Sequence, residues 1–271
     1  MKFVEKLLDV SRKNDSLVCV GLDTDLQKIP QHLLKEEDPG FAFNRKIIDS
    51  TSDLVCAYKP NTAFYEALGS GGWDALKKTC EYIPKEIPVI IDAKRGDIGN
   101  TAEMYARAVF EELKGDAVTV NAYMGKDAVA PFLEYEENCA FVLCLTSNQG
   151  ARDFQFLRVD RKPLYQIVAE RVLSWNEKGN CGLVVGATHP EQLRRVREIG
   201  PSLPLLIPGV GAQAGDIEST VKFGTDRNGE LAIINSSRAI LYASPGEDFA
   251  RAARNATERL RGLINSHRKK K

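Results

Sequence analysis

The chain has 271 residues, 43% hydrophobic and 27% charged, and its 37 basic residues balance 37 acidic ones. This composition can bury a sizeable core, and the zero net charge gives no reason to expect nucleic acid or an acidic membrane as a partner. The opening MKFVEKLLDV is too charged for a signal peptide, and six cysteines without CxxC or zinc spacing predict a reduced, cytoplasmic protein without a membrane span.

Amphipathic stretches alternate with short apolar runs along almost the whole chain. Residues 2–13 predict a helix that precedes the first strand. Eight apolar runs then predict strands at 17–23, 54–59, 88–94, 116–121, 139–147, 181–187, 203–208 and 231–235. Helical patterns between them indicate parallel strands joined by crossover helices. At this length, eight such units favour an α/β fold, a closed (β/α)₈ TIM barrel with an extra N-terminal helix.

The chain contains no Pro/Gly-rich linker, so we expect a single domain over residues 1–271. Residues 266–271 are expected to form a solvated basic tail. Two long segments, 24–40 and 148–160, follow the first and fifth predicted strands. Both therefore lie on the catalytic face of such a barrel, where long loops often act as lids.

Charged residues stand at the ends of the first three predicted strands. Asp23 ends the first, Lys59 ends the second, and Asp92 and Lys94 share one face of the third because strand side chains alternate. All four are expected at the C-terminal rim as a paired network, since unpaired charges there would be too unfavourable. Structural salt bridges are the alternative. The position at the catalytic rim favours chemistry, with a lysine as a positioned proton donor.

Asp97 lies beyond the third strand, immediately before the predicted helix of IGNTAE. Its ordinary interpretation is a carboxylate at a helix entrance, with Asn100 or Thr101 as the capping residue. The three histidines are scattered and show no metal-binding spacing, so no metal site is expected.

The segments after the seventh and eighth strands predict a phosphate site. Gly209 and Gly211 allow backbone N–H groups to approach an anion, Gln213 adds an amide, and Arg238 adds a fork of fixed charge. The same glycine pattern fits a relaxed dinucleotide fingerprint. That alternative is disfavoured because the acidic residue at the required distance, Glu230, precedes its strand instead of ending it.

These motifs together resemble the orotidine 5′-phosphate decarboxylase family, and within it the longer subfamily, often called type 2, found in many bacteria. Asp92-x-Lys94-x-x-Asp97 is shared with other phosphate-binding barrels, but its combination with VGLDTD, AYKPNTAFYE, TSN and PGVGAQ is specific. The resemblance spans Asp23 to Arg238. It implies a cofactor-independent carboxy-lyase that converts orotidine 5′-monophosphate to uridine 5′-monophosphate, the last step of de novo UMP synthesis, in a homodimer.

The resemblance implies roles for the four charged residues at the strand ends. Asp23 and Lys59 would hold the ribose hydroxyls, and Lys59 would also tie the charge network together. Asp92 would lie beside the departing carboxylate. Lys94 would deliver a proton to C6 of the pyrimidine.

Further roles are implied outside that network. Asp97, together with Ile98 and Thr101, would enter the site of the neighbouring subunit. Ser147 would contact the pyrimidine edge, although the adjacent Thr146 could share this role.

For the phosphate, the resemblance implies a grip formed by Gln213, Gly211 and Arg238. The chain departs from the family pattern at Gln149, where many members have proline after the asparagine of TSN. Two alternatives remain open: a related phosphosugar decarboxylase or synthase on the same barrel, which would use a metal ion, and a non-catalytic phosphate-binding barrel.

Overall fold

The computed structural model describes residues 1–210 and 216–269. Within these ranges eight parallel strands form the main sheet, which confirms the eight predicted runs. The strands are β1 (Val18–Gly21), β2 (Ala57–Lys59), β3 (Ile90–Arg95), β4 (Ala117–Val120), β5 (Cys139–Leu145), β6 (Cys181–Val185), β7 (Leu205–Pro208) and β8 (Ala232–Ser236).

The strands follow one another in the order β2-β1-β8-β7-β6-β5-β4-β3. The ring closes between its two ends through parallel bridges that pair Tyr58 with Val89 and Asn61 with Asp92. The predicted (β/α)₈ barrel is therefore confirmed, with all eight C-terminal strand ends at one mouth.

Helices cover the outside of the barrel. They are α1 (Phe3–Lys13), α2 (Pro39–Thr51), α3 (Thr62–Glu66), α4 (Ser70–Tyr82), α5 (Gly99–Arg107), α6 (Ala130–Leu133), α7 (Ala151–Phe154), α8 (Leu164–Trp175), α9 (Pro190–Ile199), α10 (Ile217–Gly224), α11 (Arg238–Leu241) and α12 (Phe249–His267). A π-helical turn, Ala108–Glu112, continues α5, and 3₁₀ turns occupy Gln31–Lys35 and Lys126–Ala128. None of the helices in the described ranges has the length and apolar character needed to cross a membrane.

The strands are apolar runs because both of their faces are covered. β1, β4, β6 and β8 are buried along their whole length, one side in the barrel interior and the other under the helices. β3 differs, since its burial decreases from Asp92 towards Arg95. That strand therefore carries charge out of the core into the mouth.

The predicted N-terminal helix closes the opposite end of the barrel. Phe3, Leu7 and Val10 of α1 are buried. The Phe3 ring meets Phe141 of β5 edge-on at 5.5 Å, and its N–H donates to the Glu137 carbonyl at 2.8 Å. Because α1 plugs the N-terminal end, the C-terminal mouth is left as the open end of the barrel.

Two expectations about irregular segments need correction. The segment 148–160 contains α7 and the first strand of a small hairpin, Arg158–Val159 paired with Lys162–Pro163. At the C-terminus, α12 continues to His267, and the Arg268 side chain is 6% exposed and donates to the Gly229 carbonyl. Residues 266 and 267 are therefore the exposed last residues of α12, and Arg268 is packed instead of belonging to a solvated tail.

Candidate active site

Four charged side chains meet at the mouth of the barrel, as the strand-end pattern predicted. Lys59 Nζ donates to Asp92 Oδ2 at 2.7 Å, and Lys94 Nζ donates to Asp92 Oδ1 at 2.6 Å. Asp23 Oδ1 lies 3.8 Å from Lys59 Nζ. The side chains thus form a row of alternating sign in the order Asp23, Lys59, Asp92, Lys94, which we call the charged row.

The two central members of the charged row are buried and ionised. Burial opposes the charge of Asp92, but Lys59 and Lys94 outweigh it and hold its pKa well below the usual range. Burial likewise opposes the charge of Lys59, but Asp23 and Asp92 outweigh it and raise its pKa above the usual value. Each charge therefore exists because its neighbours are present.

Lys94 is held in an unusual backbone conformation. Its φ is +47°, and the pairing of β3 with β4 shifts register between Ile91 and Arg95. Such a conformation costs a non-glycine residue roughly 1–3 kcal/mol and is typical of functional sites. The side chain is 49% exposed, so its ammonium group contacts Asp92 and also faces the open mouth.

Thr119 of β4 fixes this geometry and was missed in the sequence. Its hydroxyl accepts from the Lys94 N–H and donates to Asp92 Oδ1, both at 2.9 Å. The available signal was one buried hydroxyl in the otherwise apolar strand Ala117–Val120. Since Thr119 satisfies the backbone of one catalytic candidate and the carboxylate of the other, it positions both.

Two buried acceptors at the mouth have no hydrogen-bond donor among the described residues. They are Oδ1 of Asp23 and Oδ1 of Asn235, the latter on a residue that is 7% exposed. A Cβ atom on Gly21 would lie 1.9 Å from Ser237 Oγ and 3.2 Å from Asn235 Oδ1, so glycine is required where β1 and β8 approach. Free buried acceptors suit hydroxyl donors of a ligand. Sequence reasoning missed Asn235, a polar residue within the last apolar run.

In the segment after β5, the hydroxyls of Thr146 and Ser147, the two alternatives for the pyrimidine contact, have different surroundings. Thr146 Oγ1 accepts from Gln155 Nε2 at 2.8 Å and donates to Asn148 Oδ1 at 2.6 Å. Ser147 Oγ has no such partner within the described residues, and a Cβ atom on Gly209 would lie 3.8 Å from it. Thr146 therefore shapes the loop, while Ser147 offers a free hydroxyl next to the start of the loop after β7.

The predicted phosphate site is described in part. Gly209 follows β7 with a φ of +98°, a conformation that favours glycine. Arg238 begins α11, two residues after β8, and is exposed. Gly211 and Gln213 lie outside the described residues.

Asp97 lies between β3 and α5, outside the charged row. Its Oδ1 accepts from the Ile98 N–H at 2.8 Å, and within the described chain it forms no ion pair with Lys59 or Lys94. Ile98 is 53% exposed, and Thr101 is also exposed.

The expectation that Asn100 or Thr101 caps α5 is wrong. The helix begins at Gly99, and its N-cap is Ile98, which makes no side-chain capping bond. Gly99 has a φ of +56°, so the chain turns into the helix through a glycine conformation instead of a side-chain cap.

A comparison with protein families finds a match that covers most of the chain. A sequence model of the "Orotidine 5'-phosphate decarboxylase / HUMPS family" matches residues 16–253. A protein of Dehalococcoides mccartyi named orotidine 5′-phosphate decarboxylase is 52% identical over 274 residues, covering 100% of both chains. One of the same name from Cupriavidus taiwanensis is 53% identical over 272 residues, covering 99% of each.

Solved structures are similar over nearly the whole chain. Leishmania donovani OMP decarboxylase superposes with a TM-score of 0.85 at 39% identity, covering 98% of this chain and 99% of that one. The structure of Leishmania donovani UMP synthase gives 0.87 at 40% identity, covering 97% of this chain. The match spans 57% of that longer protein, so a little over half of the UMP synthase corresponds to this barrel.

Proposed function

The chain belongs to the orotidine 5′-phosphate decarboxylase family, and we propose that its charged row converts orotidine 5′-monophosphate to uridine 5′-monophosphate, with Lys94 as proton donor. The reaction is that of a carboxy-lyase and completes the synthesis of UMP. The observation that carries the proposal is the contact of Lys94 Nζ with Asp92 Oδ1 at 2.6 Å, at a mouth where Lys94 also faces open space.

Decarboxylation breaks the bond between C6 of the pyrimidine and its carboxylate carbon. The electron pair stays on C6, where no ring carbonyl is placed to delocalise it well, and carbon dioxide leaves. A fixed ammonium group stabilises this charge as it develops, because it is already oriented before the reaction. Lys94 then donates a proton to C6 and regains one from solvent.

Asp92 contributes through position as well as charge. In the proposed pose its carboxylate lies beside the substrate carboxylate, so repulsion between like charges is relieved when neutral carbon dioxide departs. The bonds from Lys59 and Thr119 to Asp92 support this role, since they prevent the carboxylate from turning away.

Substrate binding is distributed around the rim. Asp23 and Lys59 hold the ribose hydroxyls, and Asp23 Oδ1 is available to them because it accepts no hydrogen bond from the described residues. Ser147 contacts the pyrimidine edge.

Arg238, together with Gln213 and Gly211, holds the phosphate. Binding energy from this remote group orients the reacting end and helps the loops to close.

We also propose a homodimer in which Asp97, Ile98 and Thr101 enter the partner's site. Asp97 has no lysine partner in its own described chain. Large apolar side chains are exposed after two strands: Ile98 (53% exposed) and Met104 (50%) after β3, and Tyr123 (83%) and Met124 (46%) after β4. A second copy of the chain is the proposed partner for these side chains. One symmetric contact would bury them and would also bring Asp97 of each subunit into the other subunit's site.

The same proposal includes one domain and a cytoplasmic location. One cluster of buried hydrophobic side chains extends from Phe3 to Ile264, which supports a single folding unit. All six cysteines are buried and unpaired, as expected in a reducing compartment.

Related barrels in the matched family offer a different activity, since the family model is also named for HUMPS. Relatives that are about half identical over the full length are named for orotidine 5′-phosphate decarboxylase, and this favours the decarboxylase. Turnover of orotidine 5′-monophosphate in the presence of a strong chelator tests the choice directly. A requirement for a divalent metal ion would favour the alternative.

The proton-donor assignment is tested by Lys94→Ala. We expect loss of decarboxylation with retained binding of uridine 5′-monophosphate and an intact fold, because the described mouth offers no other ammonium group as exposed next to Asp92. Lys114→Ala is the matched control, since Lys114 is also an exposed lysine with a positive φ, of 54°, but precedes β4 at the opposite end. Near-normal turnover in Lys94→Ala would refute the assignment.

A further inference from the structure

The Tyr242 hydroxyl holds the chain segment that carries Asp23. It accepts from the Asp25 N–H at 2.8 Å and donates to the Asp23 carbonyl at 3.1 Å. Both bonds are made to backbone, so the hydroxyl fixes the direction in which the chain leaves β1. The orientation of the Asp23 carboxylate depends on that direction.

The same residue is attached to the phosphate end of the site. Its N–H donates to the Arg238 carbonyl at 3.1 Å, which makes Tyr242 the C-cap of α11. This helix is a single turn whose Ile240 and Leu241 are buried. Arg238 and Tyr242 therefore belong to one short rigid unit.

Packing fixes the position of the Tyr242 ring. The ring stacks on Phe43 at 6.2 Å, and Phe43 stacks on Phe249 at 5.0 Å. Burial raises the pKa of the Tyr242 phenol, so the group remains a neutral donor and acceptor at ordinary pH. The hydroxyl is thus held in place from two sides, by its ring and by its backbone.

We infer that Tyr242 is a positioning residue that couples the phosphate contact at Arg238 to the ribose contact at Asp23. The inference rests on the proposed function, which assigns those two contacts. Through α11 and the Tyr242 hydroxyl, Arg238 and the turn at residues 23–25 are held at a fixed spacing, so a phosphate bound at Arg238 places the ribose against the Asp23 carboxylate. The binding energy of the phosphate is used fully only while that spacing is kept.

Tyr65 provides a matched control. Its hydroxyl donates to the Leu22 carbonyl at 2.9 Å, one residue before Asp23, and accepts from Asn44 at 3.0 Å. Tyr65 belongs to α3, after β2, and its hydroxyl supports the chain at the end of β1 without a bond to α11. Tyr65→Phe therefore removes a similar hydroxyl without touching the phosphate helix.

The test compares two substrates, orotidine 5′-monophosphate and orotidine, which lacks the phosphate. The ratio of their kcat/KM values measures how much the phosphate contributes, and Arg238→Ala should give the largest fall in that ratio. Tyr242→Phe should lower the ratio roughly tenfold, the effect of losing one or two hydrogen bonds, with most of the loss in kcat. Tyr65→Phe should lower both kcat/KM values equally and leave the ratio unchanged.

A double-mutant cycle on orotidine 5′-monophosphate gives an independent measurement. In the Arg238→Ala background, Tyr242→Phe should lower kcat/KM by a clearly smaller factor than in the wild type, because the coupling has already been lost. Additive losses, or an unchanged substrate ratio in a folded Tyr242→Phe protein, would overturn the inference. Failure of the wild type to turn over orotidine 5′-monophosphate would instead overturn the proposed function, so the two failures are distinguishable.

Discussion

Asp92 contacts both lysines of the charged row and Thr119, so its protonation state should govern local stability. Its folded-state pKa is depressed, whereas an unfolded aspartate titrates at about 3.9. Its contribution is therefore complete above that unfolded value and is lost as pH falls towards the folded one.

We expect Asp92→Asn to be less stable than the wild type by roughly 3 kcal/mol at neutral pH, since Lys59 loses its closest counter-ion in a buried position. The difference in unfolding free energy should remain constant down to about pH 5 and narrow below about pH 4. Urea unfolding across this range measures it.

Asp53→Asn is the control for that experiment. Hydrogen bonding to Arg254 also lowers the pKa of Asp53, but this side chain is 59% exposed. A surface pair of this kind contributes about 1 kcal/mol or less. If both variants lose the same small amount of unfolding free energy, the buried charged row is not a stabilising unit.

At this scale the sequence predicted which residues meet but not what orients them. Strand parity and strand-end position were enough for Asp23, Lys59, Asp92 and Lys94. The bonds of Thr119 could not be predicted, because they depend on the register shift between β3 and β4, which arises from pairing across strands. The positive φ of Lys94 could not be predicted either, because the alternation of side chains along a strand gives no information about backbone angles.

Among the helices, α9 carries a buried arginine that ties together the N-terminal end of the barrel. Arg197 donates to the carbonyls of Leu203 and Gly224, each at 2.6 Å, and to that of Leu231 at 3.0 Å. Burial lowers the pKa of Arg197 to about 10, which leaves it charged at neutral pH. These carbonyls lie in the segments before β7 and β8, at the end opposite the charged row.

Arg197→Met should therefore destabilise the fold by about 3–5 kcal/mol, because it leaves several buried carbonyls without a donor, while kcat stays close to the wild-type value. Arg194→Met on the same helix is the control. Arg194 is 53% exposed and pairs with Glu191 and Glu198 at the surface, so its loss should change stability by less than about 1 kcal/mol. Chemical unfolding measures the loss of stability in both variants, and steady-state kinetics measures kcat. A large loss of kcat in Arg197→Met would contradict a purely structural role for Arg197.

The sequence predicted which strands and helices exist where the apolar runs were long. It did not predict the residues at which they begin and end. All eight strands lie within or next to their predicted runs, because full burial of a parallel strand requires continuous apolar sequence. The start of α5 was mispredicted since a glycine at positive φ, Gly99, replaced the expected polar cap. The hairpin at Arg158–Pro163 was missed because its two-residue strands are too short to show alternation.

For the whole molecule, the open question is whether each site is built from two chains. Asp97 lies outside the charged row of its own chain, and Ile98, which follows it, and Met104 of α5 are both exposed. If a symmetric dimer supplies Asp97 across the interface, lesions on different sides of the site can be separated into different subunits.

Lys94→Ala and Asp97→Ala should each be inactive alone and should complement each other after mixing and subunit exchange. In a mixed dimer, one site combines both lesions and the other has neither. Random pairing makes about half of the dimers mixed, each with one intact site of two, so about a quarter of wild-type activity should return. Steady-state turnover before and after exchange measures the recovery.

The control mixture combines Asp92→Ala with Lys94→Ala. Both residues belong to β3 and contact each other within one chain, so every site of a mixed dimer keeps one lesion and should remain inactive. Subunit exchange itself can be verified with a mass-tagged copy of either variant. If exchange is complete and the Lys94→Ala and Asp97→Ala mixture still shows no turnover, Asp97 serves its own chain and the shared-site dimer is refuted. Recovery in the first mixture alone requires that the charged row and Asp97 come from different subunits.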